Sequence, residues 1–152
     1  MLMLLFYVGD ERYALESRHV VEVVPLVALK KLHHAPDYVA GLFNYRSRIV
    51  PVIDLCKLLR GNPCRAHLST RIVLVNYLDS DRTPHLLALM AERVTETLNK
   101  SDTEFVDLEI AVDAAPYMGK IITDEQGMIQ CVRVEYLLPS SQQAYILQSY
   151  GA

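Results

Sequence analysis

Short apolar runs alternate with polar turns along most of the 152-residue chain. Residues 3–15 form two β-prone runs around Gly9-Asp10-Glu11, which predicts a hairpin because these turn residues tolerate positive φ. Two further hairpins are predicted where TRIVLVNYL and HLLALMAERV flank DSDRTP, and where YMGKIITDEQGMIQCV turns at 124–127. No strand–helix–strand alternation is present, so the pattern favours an all-β fold.

The helical signals are short. Asp54 can cap a helix over LCKLL that Gly61 ends, and SQQAYILQS is a polar-faced helix candidate near the C-terminus. Ser17 can cap SRHVVEVV before Pro25 ends any helix, and APDYV is predicted to form a single helical turn. The segment LVALKKLHH is predicted to be extended, and GNPCRAHLS is predicted to be a connector.

A charged tip stands out in residues 41–55, GLFNYRSRIVPVIDL, where two predicted strands flank Arg46-Ser47-Arg48. An arginine on a hairpin tip beside an apolar surface can bind a partner's carboxylate with its guanidinium fork. An ordinary solvated turn arginine is the alternative interpretation, and Arg48 keeps that interpretation. Glu22 is similarly the single charge in the run VVEVV, which is typical of a solvated position.

The two halves of the chain repeat one order of features. Each half has a hairpin, then VVEVV or VTETL, then Gly41 or Gly119, then a second hairpin and a pair of leucines. Glu22 matches Glu96 in this alignment. Two copies of a small β unit predict two β-barrels packed together, since closure removes exposed strand edges. Because isolated barrels of about 70 residues are marginal, we expect residues 1–152 to form a single domain of two intertwined β-barrel subdomains.

Composition narrows the class of partner. The chain is 51% hydrophobic with a formal net charge of −3, which suits a compact domain. Without a Lys/Arg block or a basic amphipathic helix, we expect neither nucleic-acid binding nor direct membrane insertion. The opening MLMLLFYV lacks the basic flank of a signal peptide and is predicted to be a strand. Three cysteines without a CxxC pair indicate no disulfide framework, so we expect a cytoplasmic protein.

The sequence offers only weak motifs for catalysis. Neither GxGxxG nor GxxxxGK[ST] occurs, so no nucleotide or other cofactor is expected, and Cys56 on the short helix is predicted to be a buried thiol. The pattern favours a binding module without catalytic activity. The alternative is a small metal-binding regulator or enzyme whose ligands would be His33, His34, Cys64 and His67, the last two in C-x-x-H spacing.

The stretch GLFNYRSRIVPVIDLCKLL resembles the signature of CheW-type adaptor domains, G-h-x-N-h-R-G-x-x-h-P-h-h-D-L, where h is apolar. FYVGDERYALESRHVVEVV and YMGKIITDEQGMIQCVRVEYLL resemble the opening and closing segments of the same family. The resemblance implies two five-stranded β-barrels on a shared core with short connecting helices. It also implies a non-catalytic adaptor that couples the cytoplasmic tips of methyl-accepting chemoreceptors to the regulatory domain of a CheA-type histidine kinase, in arrays at the membrane.

The same resemblance implies which residues bind the receptor: Val20, Glu22, Gly41, Asn44 and Arg46. Pro51 and Asp54 match structural positions of the family. Two departures stand out, because Ser47 replaces the glycine after the arginine and Ala91-Glu92 replaces a V-D pair. The pathway stays open, either chemotaxis or another chemosensory system such as surface sensing. It also stays open whether the chain couples arrays or competes for them.

Overall fold

The computed structural model describes residues 1–107 and 115–147. Over these residues the chain is mostly β-strand, which confirms the predicted all-β class. The strands are β1 (Leu2–Val8), β2 (Glu11–Glu16), β3 (Val20–Pro25), β4 (Val39–Tyr45), β5 (Arg48–Asp54), β6 (Arg71–Leu78), β7 (Pro84–Asn99), β8 (Phe105–Val106), β9 (Met118–Asp124) and β10 (Gly127–Val132). The helices are α1 (Leu55–Arg60) and α2 (Ser140–Ile146), with 3₁₀ turns at Ser17–His19, Asp102–Glu104 and Val134–Tyr136.

The long strand β7 belongs to two sheets. Its N-terminal half lies between β6 and β5, and β3 and β4 extend that sheet on either side, forming what we call sheet II. Its C-terminal half pairs with β1, and the order continues through β2, β10, β9 and β8 to form sheet I. Neighbours are antiparallel except β5 with β7 and β10 with β2. This division is consistent with the predicted two barrels.

The repeat is visible in the strand pairing. In the first half of the chain, the hairpin β1–β2 lies in sheet I and the next three strands lie in sheet II. In the second half, β6 and the first half of β7 lie in sheet II, and the chain then returns to sheet I. Each half of the chain therefore contributes to both sheets. The register preserves the match seen in the sequence: Glu22 is opposite Leu74, which pairs with Ala88, and Glu96 is opposite Leu5, which pairs with Ala14.

Apolar side chains form three buried clusters because successive strand residues point to opposite faces. In β1, Met3 and Leu5 face the interior of sheet I, while Leu4 and Phe6 face a larger cluster shared by both sheets. The sheet I cluster consists of Met3, Leu5, Ala14, Ile122, Ile129 and Cys131. The sheet II cluster consists of Val50, Val52, Ile72, Leu74, Ala88 and Met90.

Both predicted α-helices are present. Asp54 caps α1 by accepting a hydrogen bond from the Lys57 backbone N–H at 3.1 Å, and Gly61 ends the helix with a φ of +85°. The C-terminal candidate forms α2, although its last residues, 148–149, lie outside the described residues. No helix in the described ranges is long and apolar enough to cross a membrane.

Three local predictions need correction. After Ser17 the chain makes one 3₁₀ turn and then continues as β3, because the β-branched valines pair with β6. The segment around Pro36 is a turn closed by the Val39 N–H donating to the Pro36 carbonyl at 3.0 Å. The segment predicted to be extended over residues 26–34 forms one β-bridge, from Lys30 to Leu42, but it ends in a turn at His33 and His34, where His34 has a φ of +64°.

Candidate partner-binding site at the β4–β5 hairpin

The hairpin tip is a two-residue turn. Tyr45 pairs with Arg48, which leaves Arg46 and Ser47 as the turn residues, with φ values of +49° and +70°. Positive φ at both central positions defines a type I′ turn, whose twist matches that of the strands it joins. Asn44 supports the turn, because its Oδ1 accepts a hydrogen bond from the Ser47 N–H at 3.1 Å. Ser47 therefore retains the backbone conformation that a glycine adopts most easily.

An exposed ion pair joins this tip to β3. Nη2 of Arg46 lies 3.0 Å from Oε1 of Glu22, and the guanidinium carbon lies 5.1 Å from the centre of the Tyr45 ring. The side chain of Arg46 is 74% exposed and that of Glu22 is 36% exposed. A pair so open to solvent contributes little to stability, so both charges are available to a partner.

The apolar surroundings of the pair come from β3 and β4. Glu22 is opposite Leu74, and paired residues share a sheet face, so Glu22 lies on the face that covers the sheet II cluster. Phe43 and Tyr45 pack against the same cluster, with ring centres 6.1 Å apart. The two charges consequently stand beside an aromatic and aliphatic wall.

Val20 and Val21 differ in how much of each side chain reaches the surface. Val20 pairs with Val75 and packs on the shared core, while a register shift before Glu22 leaves Val21 44% exposed. Val21 therefore offers more apolar surface next to Glu22 than the half-buried Val20 does. Sequence reasoning missed it because alternation along a strand does not reveal an irregularity in register.

Gly41 is buried beneath the site. A Cβ at this position would lie 2.6 Å from the Lys30 carbonyl oxygen, and the φ of +153° is one that side chains disfavour. Lys30 and Leu42 exchange backbone hydrogen bonds of 3.0 and 2.6 Å at this point. The glycine thus lets the segment containing Lys30 lie directly on β4, and it shapes the site from below.

Glu92, which the sequence marked only as a departure from the family pattern, anchors the connector after α1. Its buried carboxylate accepts hydrogen bonds from the backbone N–H of Arg65 at 2.6 Å and from Nη2 of Arg65 at 3.3 Å. Burial alone would raise the pKa of Glu92, but these bonds and the charge of Arg65 outweigh it and leave the pKa below its ordinary value. The sequence signal that could have indicated this buried role is the presence of a single acidic residue in the apolar run HLLALMAERV.

The predicted metal ligands are not brought together. Cys64 contacts Cys56 and lies beside Asp54, and these three side chains are the group in the described ranges whose ligand atoms all lie within 4.8 Å. His33, His34 and His67 are not part of it. The Asp54 carboxylate already accepts hydrogen bonds from the backbone N–H groups of Lys57 and Cys64.

Comparisons with known proteins agree with the fold. A family model described as "CheW-like domain" matches residues 2–142. The chain is 24% identical over 142 residues to the chemotaxis protein CheW of Rhizobium meliloti, covering 92% of this chain and 88% of that one. It is 26% identical over 99 residues to the chemotaxis protein CheW of Helicobacter pylori, covering 65% of this chain and only 57% of that one.

A solved structure gives the same result for the fold. The crystal structure of the scaffolding protein TtCheW from Thermoanaerobacter tengcongensis superposes with a TM-score of 0.78 at 24% identity. The superposition covers 91% of this chain and 87% of that chain. The likeness at this identity concerns the arrangement of the strands.

Proposed function

The chain belongs to the CheW-like domain family, and on that premise we propose that it couples a chemoreceptor to a histidine kinase. In this role it binds the cytoplasmic tip of a methyl-accepting chemoreceptor and the regulatory domain of a CheA-type kinase. It acts as a scaffold without catalytic activity and joins receptor arrays through these partners. The pathway is chemotaxis or a related chemosensory system.

The exposed Glu22–Arg46 pair is the observation that supports the receptor site most directly. Both side chains are held on short, well-paired elements, Arg46 by a two-residue turn and Glu22 by β3. A guanidinium positioned in this way loses little conformational freedom when it binds a carboxylate of a receptor helix. Glu22 then accepts hydrogen bonds from basic or amide groups of the same helix.

The other proposed receptor-site residues divide into contacts and supports. The exposed Val21 supplies apolar area beside Glu22, and the half-buried Val20 supports it from the core side. Asn44 keeps the turn closed through the Ser47 N–H. Gly41 contributes shape, since its own surface is buried.

We place the kinase contact away from this charged tip, on apolar strand residues. Association of two like β domains depends on apolar burial more than on exposed charge. Sheet I exposes Met128 (68%) and Val106 (55%), on strands distant in the sheet order from β3 and β4. Two separate surfaces would allow one chain to bridge the receptor and the kinase.

Calorimetry with a receptor cytoplasmic fragment and, separately, with a kinase regulatory domain tests this proposal. Arg46→Ala is expected to weaken receptor binding by about 1–3 kcal/mol, as truncation of an interface arginine commonly does, and to leave kinase binding unchanged. Arg48→Ala is the matched control, because Arg48 is also an exposed arginine of the hairpin. Unchanged receptor affinity for both Arg46→Ala and Arg46→Glu, or equal losses toward both partners, would exclude the two-surface bridge.

An activity assay separates a coupler from a competitor. Adding the protein to receptor-containing membranes and kinase should raise receptor-dependent kinase autophosphorylation if the chain bridges the two. A fall in autophosphorylation with increasing protein would instead identify a chain that occupies the binding sites without coupling them.

A further inference from the structure

Two thiols meet where the connector crosses α1, outside the proposed receptor site. Cys56 lies in the first turn of α1 and is 2% exposed, and Cys64 lies in the connector and is half-buried. Their Sγ atoms are 2.6 Å apart, and both cysteines are free thiols. The third cysteine, Cys131, belongs to the sheet I cluster.

Backbone hydrogen bonds hold Cys64 against Cys56. The Cys64 N–H donates to Asp54, 3.0 Å from Oδ2, and the same carboxylate caps α1 through Lys57. The following residue, Arg65, is anchored through its own N–H to the buried Glu92. The connector therefore cannot carry Cys64 away without breaking bonds to two buried carboxylates, so the thiols are already positioned for reaction with each other.

A metal site would need a different arrangement of the same side chains. Two thiolates bound to one tetrahedral zinc ion stand about 3.8 Å apart, since each Zn–S distance is about 2.3 Å. The Asp54 oxygens already serve as acceptors for backbone N–H groups. Contact with the Cys56 side chain, burial and the Asp54 carboxylate also raise the pKa of the Cys64 thiol. Metal binding and disulfide exchange both need the thiolate, so the raised pKa opposes both at neutral pH, and we expect the exchange to become faster as the pH rises.

We propose that Cys56 and Cys64 form a reversible disulfide by exchange with a small disulfide such as oxidised glutathione. The half-exposed Cys64 gives up its thiol proton and attacks one glutathione sulfur. The glutathione S–S bond breaks, and one glutathione leaves as a thiolate that takes up a proton. Cys56 then loses its proton, attacks the Cys64 sulfur and expels the second glutathione as a thiol. The two cysteines are oxidised by two electrons, and one glutathione disulfide is reduced to two thiols.

The bond would tie α1 to the connector between the two halves of the repeat. A cross-link that closes the short loop 56–64 reduces the freedom of the unfolded chain. We expect the melting temperature of the oxidised protein to rise by about 5–10 °C and to return to its starting value with a reductant.

Thiol titration and intact mass after incubation with oxidised glutathione test the proposal on the full chain. The wild-type protein should lose the thiols of Cys56 and Cys64 and two hydrogen atoms of mass, without a retained glutathione. Cys56→Ser should accumulate a glutathione adduct on Cys64, because the second step is blocked. Cys64→Ser should gain no adduct, since Cys56 is buried, and Cys131→Ser should behave as the wild type does.

Several outcomes would overturn the proposal. Wild-type protein that keeps all three thiols, or that keeps a stable glutathione adduct, would show that the second exchange step does not occur. A disulfide that forms without raising the melting temperature would contradict the preorganised geometry. Stoichiometric zinc in the reduced protein, with a melting temperature that falls when a chelator removes the metal, would identify a metal site in place of the disulfide.

Discussion

The two sheets each carry an ion pair between a hairpin and another strand, but the pairs differ in exposure. Arg46 at the tip of β4–β5 meets Glu22 on β3 through one contact in the open. Asp124, at the end of β9, meets Arg12 on β2 through two contacts of 2.8 and 2.6 Å. The side chain of Arg12 is only 8% exposed and that of Asp124 is 22% exposed.

The difference in exposure indicates different roles: the shielded pair stabilises its sheet, and the exposed pair presents charge to a partner. The two-contact pair of sheet I is largely shielded from water, where a fork of charged hydrogen bonds is strong and its rupture is costly. The pair of sheet II is screened by solvent, so Glu22 and Arg46 can give up their contact and bind charged groups of another protein at a small cost in free energy. Sheet I therefore uses its pair of charges internally, and sheet II leaves its pair available to a partner.

Removing one member of the partly buried Arg12–Asp124 pair should have the largest effect on stability. Asp124→Asn keeps the shape of the side chain but leaves the shielded guanidinium of Arg12 without a counter-charge, which should lower the free energy of unfolding by about 2 kcal/mol. Urea denaturation measures this loss. Glu22→Gln is the matched variant in sheet II and should change stability by less than about 1 kcal/mol. Equal losses for the two variants would remove the distinction between the pairs.

Low pH should weaken the Arg12–Asp124 pair and so reduce the stability of the protein. Hydrogen bonds from Arg12, and less from the Gln126 N–H, lower the pKa of Asp124 to about 2 from an ordinary value of 3.8. A lowered pKa in the folded state means that the stabilisation is complete above the unfolded value and is lost as the pH falls from about 4 to about 2.

Urea midpoints measured across this pH range test the acid effect. The wild-type protein should lose more stability than Asp124→Asn over the interval, because the variant no longer carries the carboxylate. Parallel pH curves for the two proteins would show that the Arg12–Asp124 pair contributes nothing to acid sensitivity.

Exchanging the charges of Glu22 and Arg46 should show whether this pair contacts the receptor or only holds the hairpin to β3. The double variant Glu22→Arg with Arg46→Glu retains an attractive pair within the chain, so stability should stay within about 1 kcal/mol of wild type. Receptor affinity should nonetheless fall by about 1–3 kcal/mol, because the partner meets the wrong sign at both positions. Recovery of full receptor affinity would mean that the pair serves only to hold the hairpin to β3.

The smallest expected effect concerns the turn itself. Ser47 has a φ of +70°, so Ser47→Gly should stabilise the protein by up to about 1 kcal/mol. Ser47→Ala is the control, because it retains a Cβ at the same φ and should give no such gain. Thermal melts of the three proteins suffice, and a lower melting temperature for the glycine variant would contradict the type I′ geometry.

Several features followed from short-range sequence patterns. The three hairpins, the Asp54 cap and the Gly61 end of α1 depend on residues close in the chain, and all are present. The alignment of Glu22 with Glu96 also survives in the register, because both copies of the repeat use the same alternation of faces. The Arg46 tip could be located on the same basis, since strand alternation and turn residues are local signals.

Long-range contacts decided the rest. Alternation along β3 could not show that a register shift turns Val21 outward, nor could spacing show that Glu92 reaches Arg65 or that Cys56 meets Cys64. The Glu92–Arg65 contact joins residues 27 apart in the chain, and the Cys56–Cys64 contact depends on how the connector folds back onto α1. The sequence by itself determined the elements, the repeat and the charged tip, because these depend on neighbours in the chain. Which charges are buried and which face a partner depends on packing between the halves, and only the tertiary structure decided it.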